Sequence, residues 1–193
     1  MNAITQIITQ QLGGGAARAI AQRFGISETA ANTAIQIGVP LILAALARNA
    51  SQPQEAQNIH QAVATDHDGS ILDNVPGYLQ SPQTADGSAI LGHVFGNQRP
   101  AIENNLAQAA GLDQGSAAGL LETLAPLVMG SLGKAQHENA LDADGLSNML
   151  NNQQEEARTN APDAMSMLSS MLDQNQDGSS MDDLKRMAAS FFK

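Results

Sequence analysis

Apolar residues recur at helical spacing through the first 150 positions. Ala31, Ala34, Ile35 and Gly38 stand at i, i+3, i+4 and i+7, and so do Ala117, Leu120, Leu121 and Leu124. That period puts each set on one helix face and predicts two amphipathic helices, one in each half of the chain. Each then meets a proline, Pro40 or Pro126. A proline inside a helix removes an amide donor and crowds the turn before it. Each helix is therefore expected to kink there, or to break and restart over 41–48 and 127–134. Those second limbs are apolar nearly all round and belong at the centre of the protein. The run 39–47 is the most apolar stretch, but its nine residues are about half of the roughly 18 that cross a bilayer. It reads as a buried core helix, and no membrane span is expected.

The two helices sit inside a longer internal likeness. A shift of 86 positions lays residues 17–48 over 103–134 without a gap and with seven identities, at Ala21, Gln22, Gly25, Ala31, Pro40, Leu41 and Leu46 and their counterparts. The matches include the glycine and proline that set backbone shape and the apolar steps that set the core face, which argues for duplication of one helical unit. In each copy a short helix ends at Gly25 or Gly111, where the left-handed conformation favours glycine, and Ile26 or Leu112 folds back on the helix just finished. Ser27 or Asp113 then supplies the N-cap oxygen of the next helix. On this reading residues 1–84 hold the first repeat, 85–150 the second, and 151–193 a polar linker and amphipathic tail.

The connecting segments are polar. Residues 66–70 and 84–88 are Asp-, Gly- and Ser-rich turns that flank a short helix over 71–79, interrupted by Pro76 and Gly77. Residues 151–156 read as a solvated helix or linker. Two amphipathic tail pieces follow, one presenting Met165, Leu168, Met171 and Leu172, the other Leu184, Met187, Ala188 and Phe191. The N-terminus lacks the basic start and continuous apolar stretch of a secretory signal, and Gly13-Gly14-Gly15 reads as a hinge. A cytoplasmic location is expected.

Composition sharpens the fold class and removes whole chemistries. The 193 residues are 42% apolar but only 3% aromatic, and the apolar share rests on Ala, Leu, Ile and Met, which favour helices over sheets. The expectation is an all-α protein with one large or two small cores. The absence of cysteine excludes disulfides, thiolate zinc sites, iron–sulfur ligation and a cysteine nucleophile. Charge is uneven: residues 1–50 carry three arginines against Glu28, whereas 51–193 carry six basic and eighteen acidic groups. Attraction to nucleic-acid phosphates is therefore confined to the first fifty residues.

Asp-rich loops are the sharpest candidates for chemistry. Residues 173–183 place Asp173, Asn175 and Asp177 at positions 1, 3 and 5 and Gly178 at position 6, the front of an EF-hand loop, with Ser179 following. The back departs from that pattern, since position 12 is Leu184 and Asp182 and Asp183 come early. The alternative is a turn whose side chains cap the following helix. The stretch 65–74 repeats the loop through Asp66, Asp68 and Asp73, with Ala64 in place of the first ligand, and there capping by carboxylates at a helix start is favoured. The segment 141–147 is a poorer copy. Calcium is thus the one cofactor considered.

Residues 20–37 also fit a helix-turn-helix template, whose second helix must carry polar side chains to base edges. Arg18, Arg23, Asn32 and Gln36 are the residues that would serve a nucleic acid. Enzymatic constellations are not found: His60, His67, His93 and His137 are scattered, without metal-ligand spacing, a nucleophile elbow or a phosphate loop.

Residues 106–113, Leu-Ala-Gln-Ala-Ala-Gly-Leu-Asp, followed by Leu124-Ala125-Pro126-Leu127, resemble the bacterial YidB-like family, a domain of unknown function. Gly92-His93-Val94-Phe95-Gly96 and the Asp-Gly-Ser turns resemble features of its longer members. The resemblance covers residues 1–150, most specifically 89–134. It implies an all-helical fold with a homeodomain-like helix arrangement and no established activity. The function expected is therefore a non-enzymatic interaction or self-assembly module whose partner is itself or another protein, with calcium as a candidate ligand. The alternative is a nucleic-acid-associated regulator using residues 17–37.

Overall fold

The computed structural model describes residues 15–160, and every regular element among them is helical. In chain order they are α1 (Ala16–Phe24), α2 (Glu28–Ala50), α3 (Pro53–Asp66), a 3-10 turn (Ser70–Asn74) and α4 (Val75–Gln80). These are followed by α5 (Thr84–Phe95), a 3-10 turn (Gly96–Gln98), α6 (Arg99–Ala110), α7 (Gln114–Asn139) and α8 (Ala143–Asn160).

Local signals fix the two α-turn-α junctions. Gly25 and Gly111 end their helices in the left-handed region, at φ 65° and 66°. Ile26 and Leu112 each donate their amide back to the helix, to Ala21 O at 3.0 Å and Ala107 O at 2.8 Å, which satisfies carbonyls that the helix end leaves open. Ser27 Oγ then accepts from the Ala30 amide and Asp113 Oδ1 from the Ser116 amide, both at 3.0 Å.

The break expected at the prolines does not occur. α2 and α7 run as continuous α-helix past Pro40 and Pro126, because the limbs that follow the prolines are buried among neighbouring helices. Leu41 through Ala47 are buried without interruption in α2, and Thr123 through Gly133 in α7. The two helices meet at Gly38, where a Cβ would lie 3.2 Å from Leu121 Cδ2 and 3.3 Å from Leu124 Cδ1. α1 covers α2 and α4, α6 packs on both α2 and α7, α8 lies along α2, and α5 lies along α7. Buried side chains from Ala16 to Leu150 form one contiguous core spanning both halves. Each fully buried leucine there contributes roughly 1.5–3 kcal/mol relative to exposure.

Two polar segments differ from expectation. Residues 71–79 are not one interrupted helix: the 3-10 turn gives way to α4, whose first turn holds Pro76 where a missing amide costs nothing. The turn read at 84–88 is the first turn of α5. Packing along α7 overrides the weak helix propensity of Asp86, Gly87 and Ser88. Residues 151–156 form the solvated helix that is one of the two expectations, as part of α8, with Gln153 alone turned into the interior at 4% exposure.

α2 and α7 are each long and apolar enough to cross a bilayer, although 67% and 72% of their apolar windows are buried inside the protein. The nine-residue run 39–47 lies within α2 alone, which extends it on both sides mostly with uncharged residues.

Candidate functional site

A cleft opens beside Pro126, between the loop that leaves α3 and the first turn of α5. The loop is held by its own turn: Gly69 sits at φ 98°, and Asp68 Oδ1 accepts the Ser70 amide at 2.9 Å. It lies flat on α7 because that helix presents glycine. A Cβ at Gly133 would stand 1.7 Å from the His67 carbonyl oxygen, and one at Gly130 would stand 2.4 Å from Ile71 Cγ2. On the opposite side α5 comes equally close, and a Cβ at Gly87 would stand 1.8 Å from the Glu122 carbonyl oxygen. Pro126, four residues on, offers that carbonyl no amide. The next carbonyl, of Thr123, accepts the Tyr78 hydroxyl at 3.0 Å.

The cleft is half open to solvent and has a volume of about 290 Å³. Asp66, His67 and Asp68 line one side, Gln83 and Asp86 the other, and Ile71, Tyr78 and Pro126 supply apolar surface. Burial lowers the pKa of His67 despite the opposing fields of Asp66 and Asp86, so its imidazole is held neutral. Burial also raises the Tyr78 hydroxyl to about 12, with Asp86 adding to the shift and Arg23 opposing it. Asp68 is held below the usual carboxylate range chiefly by the Ser70 amide. The arrangement is rich in acceptors beside an apolar floor, a combination suited to binding.

Of the acidic residues singled out in the sequence, Asp66 and Asp68 reach this cleft, whereas Asp73 lies exposed on the 3-10 turn outside its lining. Among the described residues no three His, Asp or Glu side chains gather so as to hold a metal ion. In the 141–147 stretch, Asp142 Oδ1 accepts the Gly145 amide at 2.8 Å, which caps α8. Asp173, Asn175, Asp177, Ser179, Asp182 and Asp183 lie outside the described residues.

The residues offered for nucleic acid lie on α1 and the first half of α2. Arg18 Nε lies 3.8 Å from Glu28 Oε1. Arg23 stacks over Phe24 at 5.7 Å and donates to the Gln80 carbonyl at 3.5 Å. Asn32 and Gln36 are exposed on α2. The histidines are dispersed. His60 contacts the Leu141 carbonyl at 3.1 Å and the Gln136 amide at 2.8 Å, while His93 and His137 are exposed.

One polar cluster escaped the sequence reading. Arg99 Nε binds Glu103 Oε1 at 2.6 Å, its Nη2 binds Glu122 Oε1, and its Nη1 reaches the carbonyl and hydroxyl of Ser88 at 3.0 and 2.9 Å. This mostly buried fork ties α5, α6 and α7 together. The i, i+4 spacing of Arg99 and Glu103 is the signal that points to it.

No curated protein and no solved structure matches the chain. A family model does: the one described as "Bacterial protein of unknown function (DUF937)" matches residues 6–135, well over half of the 193 residues, and the chain therefore belongs to that bacterial family, the YidB-like proteins.

Proposed function

We propose that the protein is a non-enzymatic helical interaction module that recognises its partner, a second copy of itself or another protein, at the cleft beside Pro126. The observation that carries this reading is the cleft's construction. Its walls are fixed to α7 by glycine contacts, and its groups are acceptors placed beside apolar surface. A preformed, mixed site of this kind favours recognition because little conformational freedom is lost on binding. The matching caps at Gly25 and Gly111 and at Ser27 and Asp113 support descent of the two halves from one unit. We take the halves to be homeodomain-like repeats bent at Pro40 and Pro126. The module acts in the cytoplasm, and α2 and α7 serve as its core.

The Asp173–Asp183 loop is the calcium ligand in this reading and steadies assembly. Light scattering of the purified protein, first with calcium and then with chelator, tests it. A mass above the monomer that falls on chelation supports calcium-linked assembly, and a monomeric mass in both conditions overturns it. Nucleic-acid association through Arg18, Arg23, Asn32 and Gln36 has less support, since Glu28 offsets Arg18. Salt-sensitive retention on DNA, lost in an Arg18→Ala, Arg23→Ala variant, would favour it instead.

A further inference from the structure

We propose that the cleft beside Pro126 binds a small aliphatic amine: an ammonium group on a short methylene chain, as carried by a linear diamine or a lysine side chain. This rests on the reading of the cleft as a recognition site and names the chemistry recognised. Three properties select that chemistry. The first is size: about 290 Å³ lies just below the ~300–1,000 Å³ of small-molecule sites, which suits a chain of a few methylenes.

The second property is charge. The ionisable lining consists of Asp66, Asp68, Asp86, His67 and Tyr78, so at neutral pH the walls are negative and an anion is repelled. No arginine or lysine belongs to the lining. Arg23 is felt at Tyr78, His137 is felt at Asp68, and Lys134 backs the loop at Gly69. The neutral His67 ring adds an acceptor for an ammonium N–H.

The third is the contrast between polar rim and apolar floor. Ile71, Tyr78 and Pro126 offer nothing to a hydrated metal ion, and the described residues form no metal-holding group of three. They do offer contact to methylenes, while Asp66 and Asp86 meet the ammonium head. The two requirements together describe an amphipathic cation. Gln83 completes the rim with a neutral amide.

The test is a titration of the full-length protein with 1,5-diaminopentane and, separately, with Nα-acetyl-lysine amide, followed by calorimetry and amide NMR. Saturable one-to-one binding of either probe is expected, with shifts centred on residues 66–71, 78 and 83–87. A stronger diamine points to a free amine, and a stronger lysine amide points to a partner's side chain. The Asp66→Asn, Asp86→Asn variant should weaken binding at least tenfold. Gln83→Glu, which adds a carboxylate to an exposed rim position, should tighten it and stays informative if the double variant fails to fold. Absence of saturable binding, insensitivity to Gln83→Glu, or saturable binding of inorganic phosphate at the same residues would overturn the proposal. Light scattering is read without any amine, so failure of assembly and failure of amine recognition are separately visible.

Discussion

At Gly87 the backbone of α5 touches the backbone of α7. A Cβ there would stand 1.8 Å from the Glu122 carbonyl oxygen, and the clash is with main chain that cannot rotate away. Gly87→Ala is therefore expected to cost at least about 2 kcal/mol, read as a lowered denaturant midpoint. Gly92, on the same helix, has nothing within 4 Å of its Cβ position. Gly92→Ala is expected to stabilise by roughly 0.5–1 kcal/mol, since it removes only unfolded-state freedom. Nothing local separates these two glycines in the sequence, because the importance of Gly87 comes from Glu122, a neighbour far along the chain. The sole tyrosine gives a third residue-scale measurement. Burial holds Tyr78 near pH 12, above its ordinary value. Its stabilising effect is complete below about pH 10 and is lost as pH rises through about 12. Ultraviolet titration of the phenol should show that delayed ionisation, and a midpoint near 10 would contradict it.

Among the elements, those with local instructions are the ones that could be read. Gly25, Ser27, Gly111 and Asp113 act on residues three to five positions away, and their roles follow from the chain alone. Ser27→Ala is expected to cost about 1 kcal/mol through loss of the Ala30 cap, measurable by chemical denaturation. A helix break at the prolines and a turn at 84–88 are favoured locally but do not form, for the converse reason. There the packing of α7 against α5 and the rest of the core outweighs local preference. The Arg99 fork was legible only in its Arg99–Glu103 half, since Glu122 and Ser88 arrive from other helices. The cleft was legible only at Asp66, His67 and Asp68, because Tyr78, Asp86 and Pro126 join it through topology. Arg99→Met leaves Glu103 and Glu122, only 10% and 20% exposed, without their cation and is expected to cost about 3 kcal/mol. Adding Glu122→Gln should recover part of that loss, and strict additivity of the two changes would argue against coupling.

For the molecule as a whole, the contiguous core predicts that residues 15–160 unfold as one unit. α2 packs against α6, α7 and α8, so neither half can bury its apolar face alone. Far-ultraviolet circular dichroism and the environment of Tyr78 should therefore report a single coincident unfolding transition. Two resolved transitions would mean that the halves are independent domains. A uniform core also explains why two helices of membrane-crossing length remain mostly covered here, with smaller helices supplying the surface that lipid would otherwise provide.

The contact between Gly87 and the carbonyl of Glu122 binds two distant positions into one evolutionary choice. A residue without an amide hydrogen at 126 leaves that oxygen open, and a residue without a side chain at 87 fills the place beside it. Restoring the amide invites the helix to reclaim its oxygen, and adding a side chain pushes the neighbouring backbone off it. Sequences sharing this architecture are accordingly expected to keep both residues or to replace both, and single replacements at either position should be rare among them.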